Sequence, residues 1–126
     1  MAIAKKILII DDEPDVLAYL STLLEDHGYA TTTAKNGVEA LAKVKAVRPD
    51  LITLDVSMPE KSGVKFYREM KEAGEYQKIP IIIVTGISDD FKNFISTRKQ
   101  VPPPEGYLSK PINQDEMLGL VKKLTA

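Results

Sequence analysis

No cysteine occurs in this 126-residue chain, which excludes disulfides and thiolate metal sites and leaves the redox compartment open. Histidine is almost as scarce. The single one, His27, falls where a helix-like segment gives way to Gly28, and it reads as a surface residue complementing a helix dipole rather than as a catalytic base. Neither sign of charge prevails: 17 basic residues face 18 acidic ones, for a formal net charge of -1. That balance gives no reason to expect nucleic acid or an anionic membrane as the main partner. Long apolar runs are also missing, since no stretch approaches the roughly 20 residues of a membrane span. The start, Met1 to Ile7, lacks the order of charge, apolar core and cleavage site that a signal peptide requires. There is no repeat, linker or low-complexity segment. With 44% hydrophobic residues, the expectation is a soluble, cytoplasmic protein forming one domain over residues 1–126.

What the chain does have is a series of short apolar runs that end in polar residues. Leu51-Ile52-Thr53-Leu54 is flanked by Pro49 and Pro59 and reads as a buried strand, with Asp55 where it leaves the core. Ile7-Leu8-Ile9-Ile10 is continuously apolar, as expected of a strand covered on both faces, and Asp11-Asp12-Glu13-Pro14 stops it. Pro14 suits the first turn of a helix, along which Val16, Leu17, Leu20, Leu23 and Leu24 recur at helical spacing up to the stop at Gly28. Tyr29 to Thr33 reads as a more polar strand near an edge. Asn36-Gly37 turns into a weaker helix through Val38, Leu41 and Ala42. Beyond the central strand, Gly63 opens a third helix through Val64, Tyr67 and Met70, and Gly74 ends it. Ile81-Ile82-Ile83-Val84 forms a fourth strand entered at Pro80 and closed by Thr85-Gly86. A short, weakly patterned helix is expected around Phe91, Phe94 and Ile95. The run Val101-Pro102-Pro103-Pro104 cannot be helical. Tyr107-Leu108 is a very short fifth strand before Ser109-Lys110-Pro111. Met117, Leu118, Leu120, Val121 and Leu124 mark the last helix.

Five strands alternating with five helices predict a doubly wound parallel α/β sheet, flavodoxin-like, with strand order 2-1-3-4-5. Ligands gather at the carboxyl ends of such strands, at the switch point between the first and third. Asp11, Asp12 and Asp55 stand at those ends. Clustered carboxylates repel one another, and a hard divalent cation relieves the repulsion; oxygen ligands without Cys or His point to Mg2+. The fourth strand end supplies the Thr85 hydroxyl and the fifth the Lys110 ammonium. A metal, a carboxylate nucleophile, a hydroxyl and a cation suit attack on a phosphoryl group. Each residue also has a plainer reading. Asp55 could cap a turn, Thr85 could cap a helix, Tyr107 could be a core aromatic and Lys110 a solvated charge; Glu13 reads as a first-turn helix residue favoured by the dipole.

These residues stand in order along essentially the whole chain: Asp11-Asp12-Glu13-Pro14, Asp55 with Met58-Pro59 and Gly63, Thr85-Gly86, and Tyr107 with Lys110-Pro111. In this the sequence closely resembles the receiver domain of two-component response regulators. The resemblance implies that Asp55 accepts a phosphoryl group from a phosphohistidine on a sensor histidine kinase or phosphotransfer protein. It implies Mg2+ held directly by Asp12, largely through water by Asp11, and by Asp55 and the Ser57 carbonyl. Lys110 would pair with Asp55 and then with the phosphoryl oxygens, while Thr85 and Tyr107 would act as the switch. The Lys110–Pro111 peptide is expected to be cis. Self-phosphorylation and self-dephosphorylation are the only catalysis expected, and the output would pass to a protein target or to an output domain of the same protein.

The sequence departs from the family mainly between Thr85 and Lys110, where three successive prolines replace a segment normally rich in small residues. Ser57 and Ile87, at positions that tune phosphoryl lifetime in the family, give opposed signals. One rival reading is an unphosphorylated protein-binding module on the same fold, which would usually lack one of the acidic pair, Asp55 or Lys110. A phosphohydrolase would want an aspartate where Ser57 stands. In a flavin carrier, Asp11-Asp12 would repel the cofactor phosphate.

Overall fold

The computed structural model describes residues 4–56, 62–72, 74–85 and 105–126, apart from the side chains of Ser62 and Thr85. Within them the chain runs β1 (Lys6–Ile10), α1 (Pro14–Asp26), β2 (Ala30–Ala34), α2 (Gly37–Val47), β3 (Leu51–Asp55), α3 (Ser62–Glu72), β4 (Ile81–Thr85), β5 (Gly106–Ser109) and α4 (Gln114–Leu124). The strands make one parallel sheet in the order β2-β1-β3-β4-β5, the doubly wound arrangement expected of the alternating pattern. Four helices lie in the described residues. The further helix expected around Phe91–Ile95 falls outside them, as do Ser57, Gly86, Ile87 and the proline run.

Continuous apolar strands need cover on both faces, and the core accordingly divides in two. Leu8, Ile10, Ile52, Leu54, Ile81 and Ile83 meet Ala40 and Val44 of α2 and Phe66, Tyr67 and Met70 of α3. The alternate residues Ile7, Ile9, Leu51, Ile82, Val84 and Leu108 meet Leu20, Leu23 and Leu24 of α1 and Met117 and Val121 of α4. Each fully buried Ile or Leu contributes about 1.5–3 kcal/mol relative to exposure, so β1, β3 and β4 dominate the stability of the sheet. The edge strand β2 is Ala-Thr-Thr-Thr-Ala, its threonines half-buried, which agrees with the more polar edge strand expected there.

Local signals fix the helix ends. Asn36 and Asn113 each accept the backbone N–H three residues on, from Glu39 at 2.8 Å and from Glu116 at 2.9 Å. Each thereby satisfies one of the unpaired donors of a first helical turn. At α1 the N-cap is Glu13, followed by Pro14, and the Glu13 side chain makes no capping bond. His27 caps the other end of α1, its Nδ1 2.9 Å from the Leu23 carbonyl oxygen, and Gly28 turns the chain with φ 89°. Asp50 aligns β3 with β1 at their starts: its N–H donates to the Lys6 carbonyl at 2.8 Å, and its carboxylate accepts the Lys6 N–H at 2.8 Å.

Gly63 sets how closely α3 approaches the end of β3. A Cβ there would press on the Asp55 carbonyl oxygen and lie 3.0 Å from Val56 Cα, both backbone atoms that cannot swing aside. Gly74 has open space around it. Gly63→Ala should therefore destabilise the protein by about 1–3 kcal/mol, as overpacking does, whereas Gly74→Ala should change stability by no more than about 1 kcal/mol. Urea unfolding midpoints of the two variants provide the comparison.

Candidate functional site

Sheet register brings the site together. Ile10 of β1 lies beside Leu54 of β3, so the next residues on these neighbouring strands, Asp11 and Asp55, emerge side by side. Asp55 lies beside Val84, Val84 beside Leu108, and Thr85 beside Ser109, which sets Thr85 and Lys110 on the same carboxyl-terminal edge. Asp11 and Asp55 are buried, Asp12 and Glu13 exposed, and ligand oxygens of all four carboxylates lie within 4.8 Å of one another. The Lys110 ammonium reaches into this group: Nζ is 3.0 Å from Asp11 Oδ2, 3.2 Å from Glu13 Oε1 and 3.4 Å from Asp55 Oδ2. The Lys110–Pro111 peptide bond is cis. Tyr107 is exposed on β5.

The electrostatics follow from burial and company. Burial drives the Asp11 carboxyl above the usual carboxylate range, and the nearby Asp55 charge pushes the same way. The Glu13 N–H, which donates to Asp11 Oδ1 at 2.9 Å, and Lys110 offset only part of this. For Lys110, burial pulls the ammonium down, but Asp11, Asp55 and Glu13 together outweigh it and raise its pKa, so it stays charged throughout the neutral range. Among the described residues, four carboxylates thus share the pocket with one ammonium, and when ionised they are under-compensated by it. An all-oxygen set of this charge, part buried and part open to water on the Asp12 side, fits a hard divalent ion that keeps some of its waters. It does not suit a soft metal.

Of the residues singled out from sequence, Asp11, Asp12, Asp55 and Lys110 come together directly, and Thr85 lies at the same sheet edge by register. Ser57 lies outside the described residues. Glu13 has a contact that the sequence reading does not include. Its backbone starts a helix as expected, but its side chain, unused for capping, turns to Lys110. Its place directly after two aspartates in a strand-end loop was the available signal.

Comparison with known proteins shows the family. The family model described as "Response regulator receiver domain" matches residues 7–122. The chain belongs to that family. Among its relatives, the protein PilH of Pseudomonas aeruginosa is 30% identical over 96% of this chain and 98% of its own length. The polar-differentiation response regulator DivK of Brucella anthropi is 32% identical, covering 94% of each chain. In structure, the chemotaxis response regulator CheY4 of Vibrio cholerae matches with a TM-score of 0.83 at 30% identity, over 97% of this chain and 99% of that one. As a receiver domain the chain is a component of two-component phosphorelay signalling, a phosphoacceptor switch rather than a classical enzyme. No helix among the described residues of this receiver domain is long and apolar enough to cross a membrane.

The raised Asp11 pKa makes a statement about stability. The folded state holds this proton more tightly than the unfolded chain does, so the associated stability is full below the ordinary value of 3.8 and is lost as pH rises through the raised one. Asp11→Asn, which keeps an oxygen for the Glu13 N–H, removes that loss. In EDTA at pH 7 its melting temperature should exceed that of the wild type, and the advantage should shrink as pH falls toward 3.8. Thermal melts across pH give the test.

Proposed function

We propose that this receiver domain, spanning residues 1–126, accepts a phosphoryl group on Asp55 from a phosphohistidine and signals by the resulting change in its surface. The observation that supports this most directly is the convergence of the Lys110 ammonium on both Asp55 and Asp11, 3.4 and 3.0 Å away, at the switch point of the sheet. An Asp55 oxygen attacks phosphorus as the P–N bond to the donor imidazole breaks, and that electron pair leaves with the imidazole nitrogen. Charge then concentrates on the equatorial phosphoryl oxygens. Lys110, already fixed by Asp11 and Glu13, is positioned to pair with one of them at no cost of reorganisation.

Asp11, Asp12, Asp55 and the Ser57 carbonyl are the groups that would hold Mg2+, with Asp12 the most open to solvent of the aspartates. When bound, the ion supplies further neutralisation of the phosphoryl oxygens. Thr85 and Tyr107 are proposed as the switch pair. They lie on adjacent strands, Ile83 beside Tyr107 and Thr85 beside Ser109, so a phosphoryl group beyond Thr85 has a short path to β5. The added charge of about -1.5 to -2 gives the differential interaction that such a two-state element requires. The donor is a sensor histidine kinase or phosphotransfer protein, and the recipient a protein partner or an output domain of the same protein. The compartment is proposed to be the cytoplasm, where such donors act.

Incubation with acetyl phosphate and Mg2+ should give a mass gain of one phosphoryl group that is stable in acid and labile in base. Asp55→Ala should abolish it, EDTA should suppress it, and Lys110→Ala should slow it about a hundredfold, the scale for loss of one charge-stabilising donor. Intact-mass spectrometry over time supplies the measurement, and an undiminished gain in Asp55→Ala would refute the assignment.

A further inference from the structure

At the opposite, amino-terminal edge of the sheet a lysine is buried. Lys71, in the last turn of α3, has a side chain 2% exposed, and its Nζ lies 2.8 Å from Glu105 Oε1. The same ammonium is 3.4 Å from the Gln77 carbonyl oxygen and 5.9 Å from the centre of the Tyr67 ring, one turn back on α3. The other Glu105 oxygen accepts the Ile81 N–H at 2.8 Å, while the Glu105 N–H donates to the Ile81 carbonyl at 3.2 Å. One residue therefore engages both backbone groups at the start of β4 and also neutralises a buried cation on α3.

Desolvation offsets most of the attraction in a buried ion pair, so such a pair is a poor source of stability. What it can supply is a defined placement, and β5 has need of one. That strand is four residues long, has a single neighbouring strand, and follows Pro102-Pro103-Pro104, which have no N–H to donate to a ladder. A slip of one residue would exchange buried Leu108 with exposed Tyr107. It would also carry Lys110 away from Asp55.

We propose that the Lys71–Glu105 pair is a positioning device for phosphoryl transfer: it pins the start of β5 to α3 and β4, and so sets where Lys110, at the far end of β5, meets Asp55. This rests on the reading of Asp55 as acceptor and Lys110 as the partner of the phosphoryl oxygens. Neither Lys71 nor Glu105 touches the reacting atoms; both act through the strand between them and Lys110.

The test uses the intact chain with acetyl phosphate and Mg2+. K71M replaces the ammonium with an apolar side chain of similar length and leaves Glu105, 31% exposed, able to turn to water. The maximal rate of Asp55 phosphorylation should fall about tenfold, the scale of a small misplacement of a catalytic group. The donor concentration at half-maximal rate should stay within about twofold, since the pair lies far from where the donor binds. K71R, which keeps a cation, should recover most of the rate. Without any donor, hydrogen exchange at the Tyr107 and Leu108 amides should quicken in K71M while exchange in β1 and β3 does not. Should K71M fail to fold, K71M/E105Q, which leaves neither charge unpaired, is read in the same way.

A folded variant that keeps either the wild-type rate or wild-type protection of β5 overturns the proposal. Equal quickening of exchange in β1, β3 and β5 also overturns it, because the pair would then be a general stabiliser. If the wild type takes up no phosphoryl group, the reading of Asp55 fails instead, and unchanged β5 exchange in K71M would then overturn the pinning of β5 as well.

Discussion

Among the described residues, the carboxyl edge of this sheet depends on holding like charges together around the Lys110 ammonium. Asp11 and Asp55 are brought side by side by the β1–β3 register, in a place where water cannot fully screen them. The energy to keep them there comes from elsewhere, from the apolar strands β1, β3 and β4 and the helices on both faces. Lys110 reduces the repulsion without abolishing it: burial, and with it the neighbouring Asp55 charge, still raise the Asp11 pKa. A pocket left electrostatically short of positive charge is one that gains from a cation.

The same tension explains why Glu13 matters more than its exposure suggests. It adds a third carboxylate to those within reach of Lys110 and holds the ammonium from the solvent side, at 3.2 Å. The lysine is thus fixed from three directions before any substrate arrives. Freedom from reorganisation is what makes a charged group effective in a transition state. The backbone of Glu13 contributes as well, since its N–H orients Asp11.

Much of this was legible in the sequence. Runs such as Ile7–Ile10 and Leu51–Leu54 announce buried strands, and the residues that end them are by construction at the sheet edge where ligands gather. Asp11, Asp12, Asp55 and Lys110 could therefore be nominated from order and spacing, and the family resemblance supplied their chemistry. What order and spacing do not carry is side-chain direction in the loops. Glu13 reads as an ordinary helix-start residue because its place after two aspartates in a strand-end loop does not say whether its carboxylate caps the helix or turns to a partner. The Lys71–Glu105 pair was invisible for a different reason. Its members are 34 positions apart, and each alone reads as a solvated charge. Only the packing of α3 against the starts of β4 and β5 brings them together and removes the lysine from water. The weakly patterned helix expected near Phe91 lies outside the described residues.

The division of the core into two unconnected clusters has a thermodynamic consequence. Consecutive residues of β1 feed opposite faces, Ile7 and Ile9 toward α1 and α4, Leu8 and Ile10 toward α2 and α3. Among the described residues, the buried side chains of the two faces fall in separate clusters on either side of the sheet. Free-energy changes from substitutions in helices on opposite faces, far apart and in separate clusters, are expected to add, while those in contact on one face interact. Sequence drift can remodel the helices of one side while leaving the other intact, and the strands serve as an insulating wall between two independently variable surfaces.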